Sequence, residues 1–313
     1  MDTPLAKTVA YSNVFSYPLT LVELRRWLLG ACLDDAFFDL RTLKYAMDTT
    51  KYFYHGFISP YISGDAPAFA HVFADLQRSR RASYRITQNK LKRARRAAYF
   101  FPHIPFVRFV GVVNRVSWGI ARETSDIDFF IVAAAGRLWF TRFLVTGFAT
   151  LFGWRPTADD AQDAVCLSFF VSDDSLDIGG LRYQDQDIHF AFWLYQLMPL
   201  YDVGGVYEQI MERNRWLLSF FRAPRHRQYA RVRAPRSRVR IFFEWLLGGI
   251  IGEWLERSTR RYQTRILDQK YARLELPYPS AVVYDDNVIK LHWNDRRQHY
   301  FNVWQQHLKQ LFP

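Results

Sequence analysis

The sequence predicts a mixed α+β protein, on three observations. Between residues 107 and 171 three short apolar runs, VRFVGVVN, DIDFFIVAA and AVCLSFFV, have the length and β-branched content of buried strands. RLWFTRFLVTGFATLFGW at 137–154 separates the second from the third with the length of a buried helix. Before and after this block, apolar residues recur mainly at helical spacing. Strand, turn, strand, helix, strand within one short block is an α/β unit with a small sheet, here flanked by helices on both sides in sequence.

Residues 5–15 read as a helix. FSYPLT then turns the chain, and Thr20 is placed to cap LVELRRWLLG, which stops at Gly30. A third helix is expected over 35–47. KYFYHGFISPYIS alternates aromatic and polar residues about His55 and Gly56, as a β-hairpin does. Three short helices and a hairpin predict a winged helix-turn-helix over residues 1–85. Nucleic-acid binding and protein contact are equally compatible with such a unit.

RSRRASYRITQNKLKRARR, 78–96, holds nine Lys or Arg and no acid. Thr87 is read as the cap of a helix with Leu91, Ala94, Ala98 and Phe101 on its apolar side. The opposite face is basic, either solvated or able to track phosphates. After the strand block, HFAFWLYQLMPLY (189–201) and VYEQIMERNRWLLSFF (206–221) read as helices. The run 222–240 carries eight arginines, interleaved prolines and no acid, so it forms no continuous helix; nucleic-acid backbone and anionic lipid are both candidate contacts. A long amphipathic helix to Tyr271 and a terminal helix from Arg296 complete the chain. The expected division is 1–85, 86–215 and 216–313.

The 313-residue chain has 42 Lys and Arg against 30 Asp and Glu, a formal charge of +12 that favours a polyanionic partner. Cys32 and Cys166, its two cysteines, sit in apolar runs and read as core residues, which suits a reducing compartment and excludes a zinc site built on cysteines. MDTPLAKTVAYSNVF does not read as a signal peptide, so the cytoplasm is the expected location. IFFEWLLGGIIGEWL at 241–255 is broken by Glu244 and Glu253 and is shorter than the roughly 20 apolar residues of a membrane span. No transmembrane segment is expected; the segment should pack on the central domain, with an interfacial membrane helix as the alternative.

The chemistry concentrates in SWGIARETSDIDFFIV, 117–132. Residues i and i+2 of a strand share a face, so Asp126 and Asp128 project together while Ile127 enters the core. Two adjacent carboxylates repel unless a cation sits between them, and Mg²⁺ accepts carboxylates together with substrate phosphates. A solvated strand cap is the alternative for a lone Asp-x-Asp.

The order strand, short turn with Gly119, then Ser125-Asp126-Ile127-Asp128 opening the next strand resembles the nucleotidyltransferase fold of the DNA polymerase beta superfamily. In this resemblance Asn114 and Arg115 stand where the family has Gly-Ser, Gly119 matches its later glycine, and Ser125, Asp126 and Asp128 match its acidic motif. The resemblance is closest over 107–132 and extends loosely to 171. It implies a small mixed sheet, Mg²⁺ held by Asp126 and Asp128, an NTP as substrate, and transfer of a nucleoside monophosphate to an acceptor hydroxyl of nucleic acid or protein. Asn114 tolerates positive φ, and Arg115 offers a charged fork in place of a serine hydroxyl.

The family's third carboxylate lies on the next strand, where this chain has none; Asp163, Asp173 and Asp174 flank that strand, and Asp173 is taken as the third catalytic acid, which would admit two ions. Arg115 and Arg122 are candidates for the departing phosphates, and Lys290 and Arg296, from VIKLHWNDRRQHY, for the nucleotide or acceptor. The alternative is a catalytically degenerate member of the fold that serves as a nucleic-acid-binding or regulatory module.

Overall fold

Thr3 accepts a hydrogen bond from Ala6 N and begins helix α1 (Pro4–Asn13), with proline in the first turn where its missing N–H costs nothing. The structure, a computed structural model, describes residues 3–30, 40–49, 53–54, 56–59, 66–155, 164–221 and 237–311. Strand β1 (Leu19–Thr20) runs into α2 (Leu21–Arg26), where Thr20 and Glu23 form a complete capping box, as the sequence predicts for Thr20. Helix α3 (Leu40–Asp48) is followed by the antiparallel pair β2 (Phe53–Tyr54) and β3 (Phe57–Ile58), turned at Gly56 with φ +82°. The small sheet has the order β1-β3-β2. The expected start of α3 at Asp35, and His55, lie outside the described residues.

Helix α4 (Ala66–Phe100) is 35 residues long and crosses residue 85 without a break. Thr87 is therefore not a cap: it lies inside the helix, buried, and its Oγ1 accepts the Ala121 N–H at 3.2 Å. Leu91, Ala94, Ala98 and Phe101 are buried as their spacing requires.

The strand block follows as β4 (Val107–Val112), a short helix α5 (Asn114–Trp118), β5 (Ile127–Ala133), α6 (Leu138–Leu151) and β6 (Val165–Ser172). Then come α7 (Ile188–Tyr195), β7 (Met198–Asp202), α8 (Val206–Arg213), α9 (Arg238–Leu246), α10 (Ile250–Tyr271), β8 (Val282–Tyr284), β9 (Val288–Leu291) and α11 (Arg297–Leu311). Two expectations change here, and a hairpin is added. MPLY is an edge strand rather than the end of a helix, and Pro199 sits where an edge tolerates a missing donor. Residues 282–291 form a β-hairpin that adds two strands to the sheet. The long C-terminal helix is two helices, broken at Gly248 and Gly249.

The result is a mixed α+β protein with a six-stranded sheet ordered β7-β4-β5-β6-β9-β8. β5 and β6 pair in parallel across the α6 connection, and the other neighbours are antiparallel. One face of the sheet packs Phe130, Phe169 and Val171 against α1, α2, α7 and α11 through Val9, Leu24, Trp193 and Trp304. The other packs Phe129, Ile131 and Phe170 against α4, α6 and α10 through Ala94, Trp139 and Leu267. The first helices thus share a core with the central sheet. No helix among the described residues is long and apolar enough to cross a membrane.

Candidate active site

Asp126 and Asp128 stand at the entrance of β5 on the face that period two assigns them. Asp126 is open at the mouth and Asp128 is half-buried. Asn114 adopts φ +59°, the left-handed conformation that its short amide side chain tolerates, and starts α5. Its Nδ2 donates to Asp128 Oδ2 at 2.8 Å, while the Val113 N–H donates to the Asp128 carbonyl at 3.1 Å. Gly119 closes α5 in the left-handed region at φ +84°, where a side chain would be strained.

The next turn is held from both ends: Ser125 N donates to the Arg122 carbonyl, and Arg122 N donates to Ser125 Oγ, each at 3.0 Å. Lys90 reaches in from α4, buried, and donates to the carbonyls of Glu123 and Ser125 at 2.9 and 2.6 Å. A lysine counted with the basic face in the sequence is thus a structural pin beneath the acidic pair. Its position gave a signal: it sits three residues after Thr87 and four before Ala94, on the apolar stripe.

Asn114, Arg115, Arg122, Ser125, Asp126 and Asp128 converge on one cleft of about 390 Å³. Gly119 shapes the turn behind it. The Arg115 guanidinium lies 5.8 Å from the Phe15 ring centre. The aromatic wall was not foreseen. Phe15 meets Trp118 at 5.2 Å and Tyr300 at 5.3 Å, and Tyr300 meets His189 at 4.6 Å. His189 Nδ1 lies 2.8 Å from Tyr11 Oη, and burial pushes its pKa down to about 3, so the ring is neutral at physiological pH.

One predicted catalytic residue falls elsewhere. Asp173 follows β6, and because β5 and β6 run parallel, the residue after β6 emerges at the far end of the sheet from the residues that open β5. Asp173 N bonds the Ala133 carbonyl at 2.9 Å and its Oδ1 accepts from Ala135 N at 2.8 Å, five strand positions from Asp128, or roughly 16 Å. It cannot share an ion with the pair. Asp174 is at the same far end, and Asp163 lies outside the described residues.

Lys290 reaches the cleft wall, but its ammonium is buried and satisfied by Ser280 O, Ala281 O and Asp295 Oδ2 at 2.6, 3.0 and 3.0 Å. Burial also lowers its pKa to about 8. It is a wall strut, with no donor left for a phosphate. Arg296 lines the same cleft.

In place of a third carboxylate the strand offers Cys166, which pairs in register with Asp128. One ligand atom from each of Asp126, Asp128 and Cys166 lies within 4.8 Å of the others. An extra residue in β6 between Cys166 and Phe169 forms a bulge at this point. Cys166 Sγ bonds Ser168 Oγ at 3.2 Å, and Ser168 Oγ lies 3.1 Å from His292 Nε2.

Burial, and then the neighbouring charge of Asp126, pushes Asp128 up to about 7, against the opposing bond from Asn114; burial raises Asp126 as well. The Cys166 thiol is raised by burial and by both carboxylates. The cluster therefore favours a cation between its acids. Two carboxylate oxygens beside an open cleft fit Mg²⁺, which takes hard oxygen ligands and completes its shell from water or phosphate. The sulfur of Cys166 does not suit that ion. No family model, no curated protein and no solved structure matches this chain.

Proposed function

We propose that the protein is a Mg²⁺-dependent nucleotidyltransferase that moves a nucleoside monophosphate from an NTP to an acceptor hydroxyl. The observation that carries this reading is the convergence, on one cleft, of the paired Asp126 and Asp128 with the left-handed Asn114, Arg115 and Arg122. Asn114, Arg115, Ser125, Asp126 and Asp128, on which the sequence resemblance to the polymerase beta superfamily rests, all line that cleft.

In this reading Asp126 and Asp128 hold Mg²⁺, which when bound neutralises charge on the phosphates. Asn114 fixes the Asp128 carboxylate through its 2.8 Å bond. Arg115 and Arg122 bind the departing phosphates as charged donors. The half-buried Phe15 and Tyr300 offer ring faces to a base. A nucleic-acid acceptor would lie along the exposed basic residues of α4, among them Arg81, Arg85, Lys92 and Arg96.

One observation favours a second reading from another class: the third acid's place is taken by Cys166. A protein so equipped could bind an NTP and regulate a partner without transferring anything.

Calorimetric titration of each NTP with and without Mg²⁺ tests the proposal. Mg²⁺-dependent binding is expected, with its loss in the folded Asp126→Asn, Asp128→Asn double variant. Binding without pyrophosphate release would select the regulatory reading, and no binding by the native chain would remove both.

A further inference from the structure

Helix α9 is docked inside out. Water-facing helices of globular proteins turn their apolar stripe inward and their charges outward. In α9 the polar residues do the docking. Ser237 Oγ, at its N-cap, lies 3.0 Å from His103 Nδ1. Arg240 bonds Tyr201 Oη, and Glu244 Oε1 accepts from Phe106 N and from Arg108 Nη1, each at 2.7 Å. Arg137 Nη2 then donates to the Gly248 carbonyl at 3.0 Å. These contacts follow helical spacing and fix which side of α9 meets the body.

The side left over is apolar. No residue of α9 is buried. Phe242 and Leu246 are exposed, and Trp245 is 77% exposed. The same surface runs through the bend into α10, where Ile250 is 81% and Trp254 62% exposed. The bend is built closely: a Cβ on Gly252 would stand 1.7 Å from the Leu247 carbonyl oxygen, so only glycine allows this approach. The sequence reading expected this segment to pack on the central domain. The structure uses the inward side for its charges instead, and the large apolar side chains face out.

The geometry points to an anionic phospholipid surface as the occupant of this face, with the α9–α10 bend lying in the membrane interface. Charge selects this occupant. Arg238 is exposed at the start of α9, Arg261 and Arg265 are exposed on α10 at helical spacing from Trp254, and the two acids of the apolar segment are paired, Glu244 with Arg108 and Glu253 with Arg257. Cations beside exposed tryptophan, phenylalanine and isoleucine make an interfacial helix, in which rings enter the headgroup layer and arginines bind lipid phosphates. A nucleic acid would use the arginines and leave the apolar face in water. This inference is independent of the nucleotidyltransferase reading.

The test is co-sedimentation of the full chain with vesicles of phosphatidylcholine alone and of three parts phosphatidylcholine to one of phosphatidylglycerol. Binding to the anionic vesicles is expected, weakened by salt and absent from the neutral ones. The Trp245→Glu, Trp254→Glu double variant changes only exposed residues, and its folding is checked by circular dichroism. It is expected to lose vesicle affinity by about tenfold or more. Equal vesicle binding by native and variant chains would reduce the interaction to charge alone and overturn the proposal. A native dimer that the double variant dissociates, without vesicle binding by either, would assign the face to a second copy and overturn it as well.

Discussion

Asp128 is more readily protonated in the folded chain than in the unfolded one, because burial and the charge of Asp126 both oppose its ionisation. Its pKa rises from 3.8 to about 7, so the folded state binds the extra proton between those values. Stability of the metal-free protein should therefore fall as pH rises from about 4 to 7 and level off above, by the linkage relation. Asp128→Asn should flatten this dependence and stabilise the chain at neutral pH by on the order of 1 kcal/mol given the open cleft, read as a higher melting temperature. Mg²⁺ should do the same for the native chain. Melting curves across this pH range with and without Mg²⁺ decide it, and an unchanged profile in the variant would remove the strained pair.

Cys166 supports a second prediction at this scale. Cys166→Asp supplies a carboxylate in register with Asp128 and should raise Mg²⁺-dependent pyrophosphate release by about tenfold or more, the effect of a positioned base. No gain in a folded, nucleotide-binding variant would mean that the site lacks more than an acid. Asp126, Asp128 and Asn114 were legible in the sequence because strand period and tolerance of positive φ are local properties. Cys166 was not, since its partner is set by parallel pairing across α6 and by a bulge. Asp173 was misplaced for the same reason: strand direction is a property of the fold.

Among the elements, α11 is tied to the body by one buried cation. Arg297 bonds Asp187 at 2.7 Å and Asp295 at 2.9 Å, and its Nη1 also donates to the Leu181 carbonyl at 2.9 Å. Asp187 in turn caps α7 by accepting from Phe190 N at 3.0 Å. Arg297→Met would leave the buried Asp187 carboxylate without its cation, while Asp295 keeps Lys290, and a loss of about 3–5 kcal/mol is expected in chemical denaturation. A cost under about 1 kcal/mol would mean that water reaches the cluster.

The sequence marked Arg296 as the start of this helix but not its anchor, because Asp187 is 110 residues away from Arg297. The cap of α2 at Thr20 was legible from local sequence, although its reciprocal partner Glu23 was not read. β7, β8 and β9 were not, since strands of three to five residues hold too few alternations to establish a period. Thr87 resembled a cap because threonine favours that place; a tertiary bond to Ala121 gave it another.

On the scale of the whole molecule, composition divided the chain into three parts, whereas the structure runs α4 across the first boundary and packs α1 and α2 into the core under the sheet. Charge was legible as a total and not as a pattern. Lys90 and Lys290, two of the 42 basic residues, are buried struts, and Arg297 joins them.

Helices α1 and α11 pack together, and Trp304 Nε1 donates to the Lys7 carbonyl across 297 residues of sequence. The cleft has Phe15, which follows α1, on one wall and Tyr300, of α11, on another. At translation speeds of about 5–20 residues per second, roughly 15–60 s separate the emergence of these two walls from the ribosome. Through that interval α1 lacks its α11 partner and the acidic pair lacks the Tyr300 wall of its cleft. A growing chain consequently carries the Asp126–Asp128 pair well before the cleft around that pair gains its Tyr300 wall.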